Sequence, residues 1–189
     1  MFIKKLTSNY SGERKNGKKH GKGKYKFPCG DVYEGHWKNG KKHGRGKYVF
    51  ASGESYEGDW VDDDMNGKGT YNFDNGDIYE GDWIDGNMHG KGKYEYITGD
   101  KYIGDFQNGL RHGNGKFLYK RGDIYIGNFK NDHFHGKGKY TFVSASAYEG
   151  NYKNDKRHGT GKYTSANGDT INKGYFKNGK FCSNQYDLF

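Results

Sequence analysis

"YEGDWIDGNMHGKGKYEYITGDK" spans Tyr79–Lys101, and its opening "YEGDW" also begins at Tyr56, 23 residues earlier. Tyrosine keeps that interval along the chain, at Tyr10, Tyr33, Tyr56, Tyr79, Tyr102, Tyr125 and Tyr148. Self-similarity at a fixed period marks a repeat array, so residues 10–170 read as seven units. Unit positions 3, 12 and 14 are glycine in all seven. Position 5 is Trp37, Trp60, Trp83, Phe106, Phe129 or Tyr152, with Arg14 in the first unit. Position 16 is Tyr25, Tyr48, Tyr71, Tyr94, Phe117, Tyr140 or Tyr163.

Within a unit the side chains alternate. Positions 1, 3 and 5 read Tyr, Gly, Trp, and positions 14, 16 and 18 read Gly, Tyr, Phe, with Glu, Asp and Lys between. Period two predicts strands with one aromatic and one charged face. The six residues typified by "NGKKHG" carry turn chemistry and predict the hairpin bend; "TGD" or "NGD" leads into the next hairpin. The fold class is therefore all-β, a sheet of stacked β-hairpins. Gly81 leaves bare backbone between Tyr79 and Trp83, on which neighbouring rings can lie. Glu80 and Asp82 are expected to face Lys91 and Lys93 across one hairpin.

The ends depart from the pattern, as solenoid caps do. Residues 1–9 read as an N-terminal cap. After Asp169 the register slips by one, and 171–189 read as a partial eighth repeat with a C-terminal cap or tail ending in "YDLF". Ser11 and Arg14 make the first unit atypical. "SASA" (Ser144–Ala147) replaces the Gly-Asp of the other exit turns and predicts a different turn there.

Only 31% of the 189 residues are hydrophobic and 33 are glycine, a profile near that of disordered chains. The 17% aromatic content and the strict period argue for folding instead. No stretch reaches the ~18 apolar residues of a membrane span. "MFIKKLT" lacks a signal-peptide core, so the expected compartment is the cytosol. Cys29 and Cys182 fall at opposite ends of the array, too far apart for the ~7 Å Cα limit of a disulfide.

Catalytic patterns are not legible. Six histidines recur at position 11, but equivalent positions in adjacent hairpins lie about 10 Å apart. That separation cannot satisfy zinc–nitrogen bonds of ~2.0–2.1 Å, so no metal is expected. "HGKGK" lacks the phosphate-loop pattern and sits on a hairpin. Carboxylates stand beside lysines on the charged face. The expectation is a chain without catalysis, metal or cofactor.

The net charge of +9 is uneven. Residues 1–55 carry 14 Lys/Arg and 4 Asp/Glu, residues 56–101 carry 4 and 12, and residues 102–189 carry 14 and 7. The basic first third offers Lys15, Lys18, Lys19, Lys22, Lys24, Lys41, Lys42 and Arg45 to an anionic surface. Nucleic acid is disfavoured because rings and lysines fall on opposite faces. Apolar residues break the pattern at Val61, Met65, Ile84, Met88, Leu110 and Phe134, and on the charged face at Ile103, Leu118 and Ile126. Exposed apolar clusters often mark contact sites.

The unit resembles the MORN repeat, whose pattern is Tyr-Glu-Gly-x-Trp-x-x-Gly-x-x-His-Gly-x-Gly-x-Tyr. The resemblance implies an elongated, twisted, single-layer antiparallel sheet with an aromatic-lined groove. In several relatives the array organises partners, and any catalysis lies in another domain. On that basis the central rings Tyr56, Trp60, Tyr79, Trp83, Tyr102 and Phe106 are the candidate groove for a peptide or helix of a partner protein. The leading expectation is a cytoskeletal or ciliary scaffold or adaptor. The alternatives are a peripheral protein binding anionic phospholipid through the basic N-terminal repeats, and a regulatory subunit of a separate enzyme.

Overall fold

The computed structural model describes residues 9–182. Most of the expected N-terminal cap, and the tail with "YDLF", lie outside them. The chain divides into two units, Met1–Asn87 and Met88–Phe189. The first holds β1 (Tyr10–Lys15), β2 (Lys18–Lys26), β3 (Val32–Lys38), β4 (Lys41–Val49), β5 (Ser55–Val61), β6 (Asp64–Asn72) and β7 (Ile78–Ile84). The second holds β8 (Asn87–Glu95, its first residue closing the first unit), β9 (Lys101–Gln107), β10 (Leu110–Leu118), β11 (Ile124–Lys130), β12 (His133–Thr141), β13 (Ala147–Lys153), β14 (Lys156–Thr164), β15 (Thr170–Lys177) and β16 (Lys180–Cys182). Within each unit every strand lies antiparallel beside its sequence neighbours, and no helix occurs among the described residues.

The hairpin bend is shorter than the expected six residues. Only unit positions 7 and 8 turn, and both take positive φ: 53° at Asn39 and 93° at Gly40. That is the type I′ signature, whose twist matches that of the flanking strands. "KKHG" belongs to the returning strand, which bulges instead of bending. Gly35 faces Gly46 and Trp37 faces Lys42, leaving His36 alone opposite His43, Gly44 and Arg45. Gly44, at φ 63°, makes that detour without a Cβ penalty. Position 4 caps the bulge: Lys68 N–H donates to Asp59 Oδ2 at 3.1 Å, and Asn114 N–H to Asp105 Oδ2 at 2.8 Å.

Ion pairs also join successive hairpins. Lys24–Glu34 (3.0 Å), Lys47–Glu57 (3.6 Å) and Lys68–Asp82 (2.5 Å) do so in the first unit, and Lys91–Asp105 (2.5 Å) in the second. The "SASA" turn keeps the common form. Phe142 N–H donates to Ser146 O at 2.9 Å and Ala145 N–H to Phe142 O at 2.8 Å, as Phe50, Gly53 and Glu54 do four repeats earlier. Ala145 simply occupies, at φ 66°, the left-handed place that glycine holds elsewhere. The register slip after Asp169 is a bulge at Ile171: Tyr163 faces Asn172 while Thr164 faces Thr170.

The core is the ring face. Tyr33, Tyr56 and Tyr79 in the first unit, and Tyr102, Tyr125 and Tyr148 in the second, are fully buried. Tyr56 meets Trp60 edge-on at 5.1 Å and Trp83, from the next hairpin, at 5.2 Å. Such pairs contribute about 0.5–1.5 kcal/mol beyond area burial. The Tyr56 hydroxyl donates to Asp59 O at 3.0 Å, and Trp83 Nε1 donates to Gly69 O at 3.1 Å. The ring lies over the facing pair Gly58 and Gly69, where an added Cβ would strike it. Phe176 takes the position-5 role in the partial repeat, edge-on to Tyr148 at 4.9 Å.

Candidate functional site

The residues of the expected groove are interior. Tyr56 and Tyr79 expose 0%, Trp60 3% and Trp83 4%; in the second unit Tyr102 exposes 0% and Phe106 4%. The reason lies at position 10, which alternation places on the ring face. Lys42 Nζ sits 4.0 Å over the Trp60 ring, and Arg111 sits over Phe117, Phe129 and Tyr102. Phe134 stacks on Tyr125 at 3.7 Å. Met65 faces Trp60 in the same place, and Met88 holds it in the second unit. These side chains cover the position-1 and position-5 rings, leaving an opening of about 430 Å³ beside Arg111, Phe117, Tyr119 and Phe134. Burial pulls the Lys42 ammonium below its usual pKa, with Asp63 opposing. In the atypical first unit Arg14 stacks on Tyr10 at 4.9 Å, replacing the missing ring.

A second set of contacts, not read from the sequence, ties each exit turn to the next hairpin. Tyr48 donates its hydroxyl to Asp31 Oδ2 at 2.5 Å, and Ala51 N–H donates to Asp31 Oδ1 at 2.9 Å. Tyr140 and Val143 repeat this on Asp123. The tyrosine hydroxyl first, and then the other donors, hold both carboxyls below the ordinary aspartate range against desolvation. The signal was present: an acid ends six of the first seven exit turns, and only its partner 17 residues on was invisible.

Open space lies on the charged face. In the first unit a cleft of about 800 Å³ is floored by Gly23, Gly35 and Gly46 and rimmed by Lys22, Lys24, Arg45 and Lys47 together with Glu34 and Glu57. In the second unit a cleft of about 720 Å³ is floored by Gly138, Gly150 and Gly161. Ile126, Lys137, Lys139, Lys162 and Lys173 stand around it, with Glu149 its one acid. The backbone of the facing glycines forms the floor, and their missing side chains are on the opposite face, where the tyrosine rings lie.

The eight basic residues of the first third converge only in part. Lys19 and Lys42 lie over rings; Lys22, Lys24 and Arg45 line the first cleft; Lys15, Lys18 and Lys41 flank hairpin turns. The apolar set also divides. Val61 and Ile84, each 47% exposed, stand next to hairpin turns, and Met65 and Met88 are on the ring face. Ile103, Leu118 and Ile126 share the charged face of the second unit. The position-11 histidines sit in the bulges, and Nδ1 of His20, His112, His135 and His158 is buried without a hydrogen bond. No group of three or more His, Cys, Asp or Glu among the described residues is placed to hold a metal. Cys29 and Cys182 are free thiols.

The MORN repeat model matches seven consecutive segments: 10–32, 33–55, 56–78, 79–101, 102–124, 125–146 and 148–170. The chain belongs to the MORN repeat family. Curated proteins return no match to the sequence. Among solved structures, similar folds include the SAS-4 (dCPAP) TCP domain of Drosophila melanogaster, in complex with a proline-rich motif of Ana2 (dSTIL). It is 9% identical, with 83% of this chain and 85% of that chain covered and a TM-score of 0.51. The TCP10 domain of Danio rerio CPAP, with a STIL peptide, is 7% identical over 82% and 74%, with a TM-score of 0.46. At 9% identity the likeness to the Drosophila domain is one of fold alone. The type I′ turns and glycine pairs of this MORN array are what build that fold here.

Proposed function

We propose that this MORN protein is a non-catalytic scaffold that holds a segment of a partner protein on the charged face of its sheet. The observation that carries the reading is the contrast between faces. The central rings are buried under the protein's own side chains, with a smaller opening of about 430 Å³ on that face beside Arg111, Phe117, Tyr119 and Phe134, whereas the charged face carries clefts of about 800 and 720 Å³. The Drosophila TCP domain, similar in fold, was solved with a proline-rich motif of another protein, which supports a seat for a partner segment. That role implies a cytoplasmic, cytoskeleton-associated protein. Only part of the basic set of the first third gathers at one cleft, and Glu34 and Glu57 pair with Lys24 and Lys47 there, which weakens the lipid alternative.

Crosslinked capture from the cells that make the protein, run beside flotation with phosphatidylserine vesicles, tests this. Both use about 0.15 M salt, where screening shortens to ~8 Å. The scaffold reading expects one or a few protein partners at near-stoichiometric recovery and no flotation. Flotation that persists at this salt, with no protein recovered, would sink it in favour of a membrane role.

A further inference from the structure

In the first unit the charged face neutralises itself in part, with Lys22 and Arg45 of the first cleft outside any ion pair among the described residues. Position 15 supplies lysine and position 2 supplies glutamate, and Lys24–Glu34 and Lys47–Glu57 pair across the strands. Position 4 adds Asp82 to Lys68. In the second unit those acids are replaced. Ile103 and Ile126 stand where glutamate stood, and Asn128 and Asn151 where aspartate stood. The row across β9–β15 therefore runs Ile103, Lys116, Ile126, Lys139, Glu149, Lys162, Lys173, each directly opposite the next. Among the described residues, Lys116, Lys137, Lys139, Lys162 and Lys173 enter no ion pair. Most of them rim the second cleft. Solvated lysines are ordinary on a flat surface, but here the loss of partners coincides with a cleft and with Ile103 and Ile126, 47% and 54% exposed.

We infer that this row is the seat of an extended acidic segment of a partner protein, with carboxylates at every third residue. Resting on the scaffold reading, it names the chemistry of the segment. Position-15 lysines recur once per hairpin, two strand spacings or about 9.6 Å apart. A polyproline II segment repeats every three residues, at about 9.3 Å. Acids at i, i+3 and i+6 thus meet Lys116, Lys139 and Lys162 in step, while apolar residues before and after the first acid rest on Ile103 and Ile126 and a neutral residue passes Glu149. The missing glutamates are supplied by the partner. A nucleic acid fits less well, because no ring lines the cleft for base stacking.

The test uses labelled peptides of about twelve residues, four polyproline turns, built from Pro-Pro-Glu repeats. A control peptide of the same composition carries its glutamates clustered at one end. The wild-type protein should bind the periodic peptide more tightly. Restoring the family acids with Ile126→Glu and Asn128→Asp should weaken that binding about tenfold, because the lysines then pair internally. This variant is expected to fold, since Glu34 and Asp59 occupy the same unit positions. Lys24→Glu, in the first unit, should leave binding unchanged. Equal affinity for the clustered peptide, or no effect of the restored acids, would overturn the inference. So would binding of phosphatidylserine vesicles by the wild-type protein, lost in that variant, with no peptide binding at all. Loss of the inference alone leaves partner capture intact; failure of both experiments removes the scaffold reading as well.

Discussion

At the residue scale, the tyrosine at position 1 carries the fold. Its ring covers a glycine pair, its hydroxyl reaches the backbone three residues on, and its edges meet two position-5 rings. Burial raises the pKa of Tyr33, Tyr56, Tyr102 and Tyr125 from 10.0, and pushes Tyr71 at position 16 up to about 12. A folded pKa above the unfolded one means stability is fully present below pH 10 and is lost as pH climbs toward the folded value. Absorbance and near-ultraviolet circular dichroism against pH should show tyrosinate appearing late and cooperatively, together with loss of the aromatic signal. Gradual ionisation centred on pH 10 with the fold intact would contradict the packing of these rings.

At the element scale, the hairpins were largely legible. A 23-residue period with alternating rings specifies strands and their facing, and Asn-Gly specifies the bend. What was not legible is how much of "NGKKHG" bends. Glycine at position 12 signals a positive φ whether it ends a turn or allows a bulge, and only the cross-strand register separates the two. Nor does alternation show that position 10 closes over the rings, because lysine there reads as a surface residue until its stem is seen lying on Trp60. The exit turn of the sixth repeat gives a clean energetic test. Ala145 holds φ 66° and its side chain has no role there, so Ala145→Gly should stabilise by about 1 kcal/mol, read by chemical denaturation. Asp132, at φ 70°, is the counter-case. Its carboxylate accepts from Arg111 N–H at 3.0 Å and Nε at 2.9 Å, so Asp132→Gly should destabilise despite the relief of φ. If both substitutions stabilise, the inter-hairpin stitch at position 8 contributes nothing.

At the scale of the whole molecule, the repeat assigns each face a job. The sequence pointed to a binding protein and to its family, and the aromatic groove that the family resemblance implies placed the partner on the rings. Their completeness as a core is a packing fact: Trp60 and Trp83 keep under a twentieth of their surface. The substitutions Ile103 and Ile126 on the charged face were visible as departures, but their meaning depended on seeing which lysines they leave unpaired. The most direct measurement places a photo-crosslinking phenylalanine in place of Ile103, on the charged face, or of Tyr119, on the ring face of the same unit. The account predicts that the partner crosslinks from position 103 and not from position 119. Crosslinking from 119 alone would put the partner on the rings and contradict it.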